Sequence, residues 1–121
     1  HPMKLFLLLF FTLSITASFC QKGIVLVNAS TFDNLISLGN SQIIDLRTPE
    51  EFDSGGIDGA VNIDFWNPKF IDLVKSKFDK SIPVLVYCAG GGRSGMAAEN
   101  LRKKGFKIIY DLEGGYESYN H

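Results

Sequence analysis

Within the seven residues Cys88-Ala89-Gly90-Gly91-Gly92-Arg93-Ser94 the chain places a thiol, three consecutive glycines and a guanidinium. Only the thiolate form of cysteine attacks, and an ordinary thiol titrating near ~8.5 is about 3% ionised at pH 7. A nucleophilic cysteine therefore needs neighbours that favour its anion. Backbone N–H groups gathered in a nest do so, and so does the positive end of a helix. Three glycines in a row cost backbone entropy on folding. A loop whose N–H groups, from Ala89 through Ser94, turn inward around an anion accounts for that cost. Arg93 adds a permanent charge on a planar fork suited to an oxyanion. Ser94 either caps the helix that follows or turns its hydroxyl to the sulfur. A free cysteine at a strand end is ordinarily a small buried residue. Packing alone has no use for a flexible, cation-bearing loop, so the pattern favours a nucleophile at Cys88.

What the chain lacks narrows the chemistry further. Its two histidines are His1 and His121, at opposite ends of 121 residues. A Ser-His-Asp or Cys-His triad has no imidazole to use, and a zinc site would lack both imidazoles and clustered thiols. No metal and no other cofactor is implied. The formal net charge is −1. No basic patch interleaved with aromatics is present, so nucleic acid is not an expected partner.

The elements that must hold this loop follow from periodicity. Val84–Tyr87 is a short apolar run that reads as a buried strand, and Ser94–Lys104 reads as a helix stopped by Gly105. The thiol thus lies where a strand ends and a helix begins. Upstream, residues 23–27 read as a strand, and Ser30 with Asp33 as a weak capping box opening a helix to about Leu38. Ser41–Arg47 reads as a second strand, Pro49–Phe52 as one helical turn with proline first, and Ala60–Ile63 as a third strand. Asn67-Pro68 opens a helix with Phe70, Ile71, Val74 and Phe78 on one face, and Lys107–Tyr110 reads as a last strand. Strands alternating with helices imply an α/β fold, a mainly parallel sheet of about five strands covered on both faces. Ligands bind beyond the carboxyl ends of such strands. Cys88 occupies that position after its strand, and Asp45 and Arg47 occupy the equivalent place after theirs, where they are expected to organise the loop rather than to react.

The beginning of the chain is read separately. His1-Pro2 precedes the first Met and reads as a cloning remnant. Met3-Lys4, the 11-residue apolar run Leu5–Ile15 and the small residues Thr16, Ala17 and Ser18 read as a signal peptide over residues 3–20. The run is too short for a membrane span, which needs about 20 apolar residues. This predicts an exported, periplasmic or otherwise extracytoplasmic domain over residues 21–121, without stable membrane insertion once the leader is removed. Cys20 raises a lipid anchor, but Phe19 stands where a small residue is usual. Without Lys4, 11 basic residues face 13 acidic ones. Outside the cytoplasm paired cysteines normally form disulfides. With at most Cys20 available to Cys88, no disulfide framework exists, and Cys88 is kept for reactivity or packing.

These residues resemble the rhodanese (sulfurtransferase) family, whose active loop commonly reads C-x-x-G-x-R-S; Cys88, Gly91, Arg93 and Ser94 match it. Asp45-Leu46-Arg47 is similar to the family's D-x-R. Glu51-Phe52 and Gly59–Ile63 are similar to its E-[FY]-x-x-G-H-I-P-G-A-x-N-I segment, and Leu112–Tyr116 to its closing L-x-G-G. Gly56 stands where the family usually has His, Asp58 where it has Pro, and Tyr119 where Trp is common; these touch packing rather than chemistry, and the final helix is expected to be short. The resemblance implies a three-layer sandwich. It also implies a sulfurtransferase in which Cys88 takes sulfur from a small anionic donor such as thiosulfate, is held as a persulfide by the amides of residues 89–94, and passes it to cyanide or a thiol. Arg93 would orient the donor. Separately from the resemblance, a monomer is expected. Four residues separate Cys88 from Arg93; related phosphatases and arsenate reductases use a cradle one residue longer, so that chemistry is disfavoured. A persulfide carrier serving a partner protein's thiol needs the same loop and stays open as the alternative.

Overall fold

The computed structural model describes residues 22–119; the expected signal peptide and Cys20 lie outside them. Five strands form one sheet: β1 (Ile24–Val27), β2 (Gln42–Asp45), β3 (Val61–Asn62), β4 (Val84–Tyr87) and β5 (Ile109–Leu112). All pairings are parallel, in the order β1-β5-β4-β2-β3. The expected α/β layering is present, and β4 lies at the centre. All four of its residues are buried, as a strand covered on both faces requires.

Alternation along β4 divides the core. Val84, Val86 and Cys88 face one apolar cluster with Ile44 of β2, Leu46 just beyond it and Ile109 of β5. That face is covered by α3 (Phe70–Lys77), through Phe70 and Val74, and by α4 (Gly92–Lys103), through Ala97, Ala98 and Leu101. Leu85 and Tyr87 face the other way, with Val27, Ile43, Ile57 and Leu112. There α1 (Ala29–Ser37) contributes Phe32, and α5 (Gly115–Tyr119) contributes Tyr116 and Tyr119. The short α2 (Pro49–Asp53) carries a full capping box between Thr48 and Glu51, with Pro49 in its first turn. No helix among the described residues is long and apolar enough to cross a membrane.

Several boundaries differ from those expected. The cap of α1 is Asn28, whose side chain accepts the Thr31 N–H at 2.9 Å, rather than Ser30. Both residue types cap well, and the chain turns directly after the last residue of β1. β2 ends at Asp45 rather than Arg47, and α4 begins at Gly92 rather than Ser94, so Arg93 and Ser94 lie in its first turn. α3 begins at Phe70, because Asn67-Pro68 forms a turn ahead of it. The last strand is shifted by two residues, to Ile109–Leu112. Gly105 takes a left-handed φ of +101°, and Phe106 folds back into the core with its N–H on the Leu101 carbonyl. Lys107 bonds the Lys80 carbonyl instead of entering the ladder. The shift brings Asp111 into the sheet, where aspartate is uncommon.

Candidate active site

Cys88 leaves the end of β4 with 1% of its surface exposed. Gly91 then takes a φ of +113°, open to glycine and strained for other residues. That turn aims two amides at the thiol: the Gly91 N–H donates to Sγ at 3.0 Å and the Ser94 N–H at 3.4 Å. Gly92, Arg93 and Ser94 form the first turn of α4, where backbone N–H groups have no acceptor within the helix. The thiol therefore faces the positive end of a 12-residue helix.

The outer side of the loop is held by the L-x-G-G segment. The Tyr116 N–H donates to the Cys88 carbonyl at 2.8 Å, and the Glu117 N–H to the Ala89 carbonyl at 3.1 Å. A Cβ on Gly115 would overlap those two carbonyls, and its φ of +66° is left-handed, so glycine is required there. Ala89 and Gly90 form the bend between these anchors, with Gly90 near Glu117.

Arg93 is turned toward α2. Its two terminal nitrogens donate to the Glu51 carboxylate at 2.9 and 3.2 Å. That hydrogen bond to Arg93 leads in drawing the Glu51 carboxyl down to about 2, with the Thr48 N–H also contributing. The guanidinium thus ties the cysteine loop to α2 and spends two of its five N–H groups on Glu51. Ser94 does not cap α4, whose N-cap is Gly91 with no side-chain cap hydrogen bond. Its Oγ lies 3.6 Å from Cys88 Sγ, 3.2 Å from the Gly91 carbonyl and 2.6 Å from Asp111 Oδ1.

Asp45 and Arg47 organise the opposite side of the sheet. Arg47 donates to both oxygens of Asp45, at 2.7 to 3.2 Å, and to the Gly55 carbonyl. The Tyr87 hydroxyl donates to Asp45 at 2.6 Å and accepts the Ile57 N–H at 3.0 Å. Burial first, and then the bond to Asp45, push the Tyr87 phenol above its ordinary range, so it stays a donor. The guanidinium carbon of Arg47 lies 4.4 Å from the centre of the Tyr116 ring. Support from Arg47 thus reaches Cys88 indirectly, through the Tyr116 N–H on its carbonyl. Gly56, where the family pattern has His, packs here as well: a Cβ would sit 3.0 Å from the Phe52 ring and 3.3 Å from Asp45.

The structure brings Cys88, Arg93 and Ser94 together, with Asp45 and Arg47 behind them; of the amides expected from residues 89–94, those of Gly91 and Ser94 are the two that reach the thiol among the described residues. Sequence reasoning missed three partners. Glu51 stood in the expected Pro49–Phe52 turn and in the E-[FY] of the family pattern, but nothing there named Arg93 as its partner. Tyr87 was hidden inside an apolar run, and Asp111 lay outside the expected strand.

The comparisons agree with this geometry. The family model described as "Rhodanese-like domain" matches residues 28–121. The chloroplastic thiosulfate sulfurtransferase 16 of Arabidopsis thaliana is 36% identical over 91 residues, covering 68% of this chain and 76% of that protein. A tRNA uridine(34) hydroxylase of Pelagibacter ubique is 32% identical over 93 residues, covering 77% of this chain and 31% of that protein. The crystal structure of a rhodanese-like domain protein from Staphylococcus aureus superimposes with a TM-score of 0.70 at 30% identity, covering 79% of this chain and 91% of that one. By sequence, fold and the build of its cysteine loop, the chain belongs to the rhodanese-like domain family.

Proposed function

We propose that the protein is a sulfurtransferase that carries sulfane sulfur as a Cys88 persulfide. The observation that carries this reading is a buried thiol receiving two backbone N–H groups, from Gly91 and Ser94, at the N-terminus of α4. Such donors favour an anion on sulfur in the free enzyme and again in the persulfide. With thiosulfate as donor, the Cys88 thiolate attacks the outer sulfur. A new S–S bond forms, the S–S bond of thiosulfate breaks, and its electron pair departs with sulfite. Sulfite is a stable anion that needs no proton, which suits a site with no histidine among the described residues. A nucleophilic acceptor, cyanide or a thiol, then attacks the terminal sulfur and restores the Cys88 thiolate. The Arg93 N–H groups not engaged by Glu51 give an anionic donor a positive edge to approach. With four residues between Cys88 and Arg93, the short loop favours a single sulfur over a tetrahedral phosphate or arsenate. The leader read at residues 3–20 makes the proposed place of action extracytoplasmic.

The test is intact-mass measurement after thiosulfate treatment. The wild type is expected to gain the mass of one sulfur atom and to lose it on adding cyanide. Cys88→Ser is expected to gain nothing and to lose thiosulfate:cyanide transfer by at least about a thousandfold, the scale on which deleting a nucleophile acts. Transfer retained in Cys88→Ser would overturn the assignment.

A further inference from the structure

We infer that Asp111, acting through the Ser94 hydroxyl, sets how readily Cys88 gives up its proton, and is a positioning residue for the nucleophile. Ser94 Oγ stands between two groups, 2.6 Å from Asp111 Oδ1 and 3.6 Å from Cys88 Sγ. A hydroxyl carries one proton. The short oxygen–oxygen contact must hold a proton, and its source depends on the carboxyl. When Asp111 is ionised, the proton is Ser94's own. The hydroxyl is then spent on the carboxylate and presents only lone pairs to the sulfur, an arrangement that accepts S–H and opposes the thiolate. When Asp111 is protonated, it donates to Ser94 and frees the serine proton to turn toward sulfur. The Gly91 carbonyl at 3.2 Å competes for that proton, but a charged acceptor forms the stronger bond.

The surroundings leave Asp111 free to change state. It is 5% exposed, and no cation among the described residues pairs with it. Its sheet neighbours are Leu26 in β1 and Val86 in β4, both apolar. From α4, Ser94 is the group that bonds it, and Gly95 lies close to its second oxygen. Burial raises its affinity for a proton, and the Ser94 bond opposes that only in part. The charged groups around the cysteine loop are Arg93, held by Glu51 and within reach of Asp64, and Glu117 beside Gly90. None of these changes in the variants below.

The inference rests on Cys88 being the nucleophile but not on the identity of a donor, so its test uses iodoacetamide. Alkylation rates of the full chain are measured against pH for wild type, Asp111→Asn, Ser94→Ala and the double variant. Asparagine keeps the shape and removes the charge. Asp111→Asn is expected to move the midpoint of the profile about one pH unit lower, making alkylation about tenfold faster below it, the size of one hydrogen bond to a charged group. In the Ser94→Ala background the same change is expected to act less than about threefold, leaving only the through-space part. A profile that stays in place, moves upward, or shifts equally without Ser94 would overturn the inference. If Asp111→Asn fails to fold by thermal melting, Asp111→Ser, equally uncharged and smaller, is expected to give the same shift. Loss of persulfide formation in the wild type with the alkylation shift intact would count against the sulfur-transfer reading alone.

Discussion

Asp45 and Asp111 are both buried at the carboxyl side of parallel strands, on opposite faces of one sheet. Asp45 is saturated: Arg47 grips both oxygens, the Arg47 N–H donates at 2.9 Å, and the Tyr87 hydroxyl donates at 2.6 Å. Asp111 has one hydroxyl, that of Ser94. A buried charge that is paired and fully hydrogen-bonded braces what surrounds it. A buried carboxyl with a single neutral donor is held less firmly in either state. The first braces the face with α2 and α5, and the second lies one hydroxyl away from the thiol. Residue type and burial are the same in both, and the number of partners separates a structural aspartate from one poised to act on chemistry.

Removing the charge from each should therefore have unequal consequences. Asp45→Asn leaves the buried Arg47 uncompensated and is expected to cost about 3–5 kcal/mol in denaturant unfolding. Tyr87→Phe removes a hydroxyl that serves both Asp45 and the Ile57 N–H. It should cost about 1–3 kcal/mol, the penalty for unsatisfied buried groups. Glu51→Gln is expected to cost about 1 kcal/mol, since the Glu51 side chain is 35% exposed and solvent screens the pair. Its pH dependence has a definite sign. The Glu51 carboxyl is drawn from 4.5 to about 2 on folding, so its contribution is complete above the unfolded value and is lost as pH falls toward the folded one. Melting curves of wild type and Glu51→Gln should converge across that acid window.

Asp111→Asn is expected to give the smallest change in stability, and of opposite sign. Burial raises the folded-state proton affinity of Asp111, so the folded state holds a proton that the unfolded state releases. Wild-type stability then declines as pH rises above the ordinary carboxyl range of about 3.9. Asp111→Asn lacks that loss and should melt slightly higher than wild type at pH 7, the gap closing toward pH 4. A destabilised Asp111→Asn would place the two aspartates in one class and remove the contrast.

Much of this was legible in one dimension. The apolar run ending at Tyr87, the glycines after Cys88 and the alternation of strand and helix patterns give the parallel sheet and put the thiol at the carboxyl end of its strand. Those features are local, since backbone preference and periodicity act over a few residues. The segment Phe106–Leu112 was misread because its boundary is not local. Phe106 is drawn into the core against α4, and Lys107 bonds Lys80, so the ladder starts two residues later than the apolar pattern suggests. That shift hid Asp111.

By itself, then, the sequence determined where the thiol sits, the glycine-rich loop after it, the lack of any histidine between the two chain ends and the layered fold, because residue type, spacing and period decide these. Only the tertiary structure decided the partners: Glu51 for Arg93, 42 residues away, Tyr87 for Asp45, also 42 away, and Asp111 for Ser94, 17 away. Such pairings depend on which strands become neighbours and which face each side chain takes. The whole sheet must close before they form.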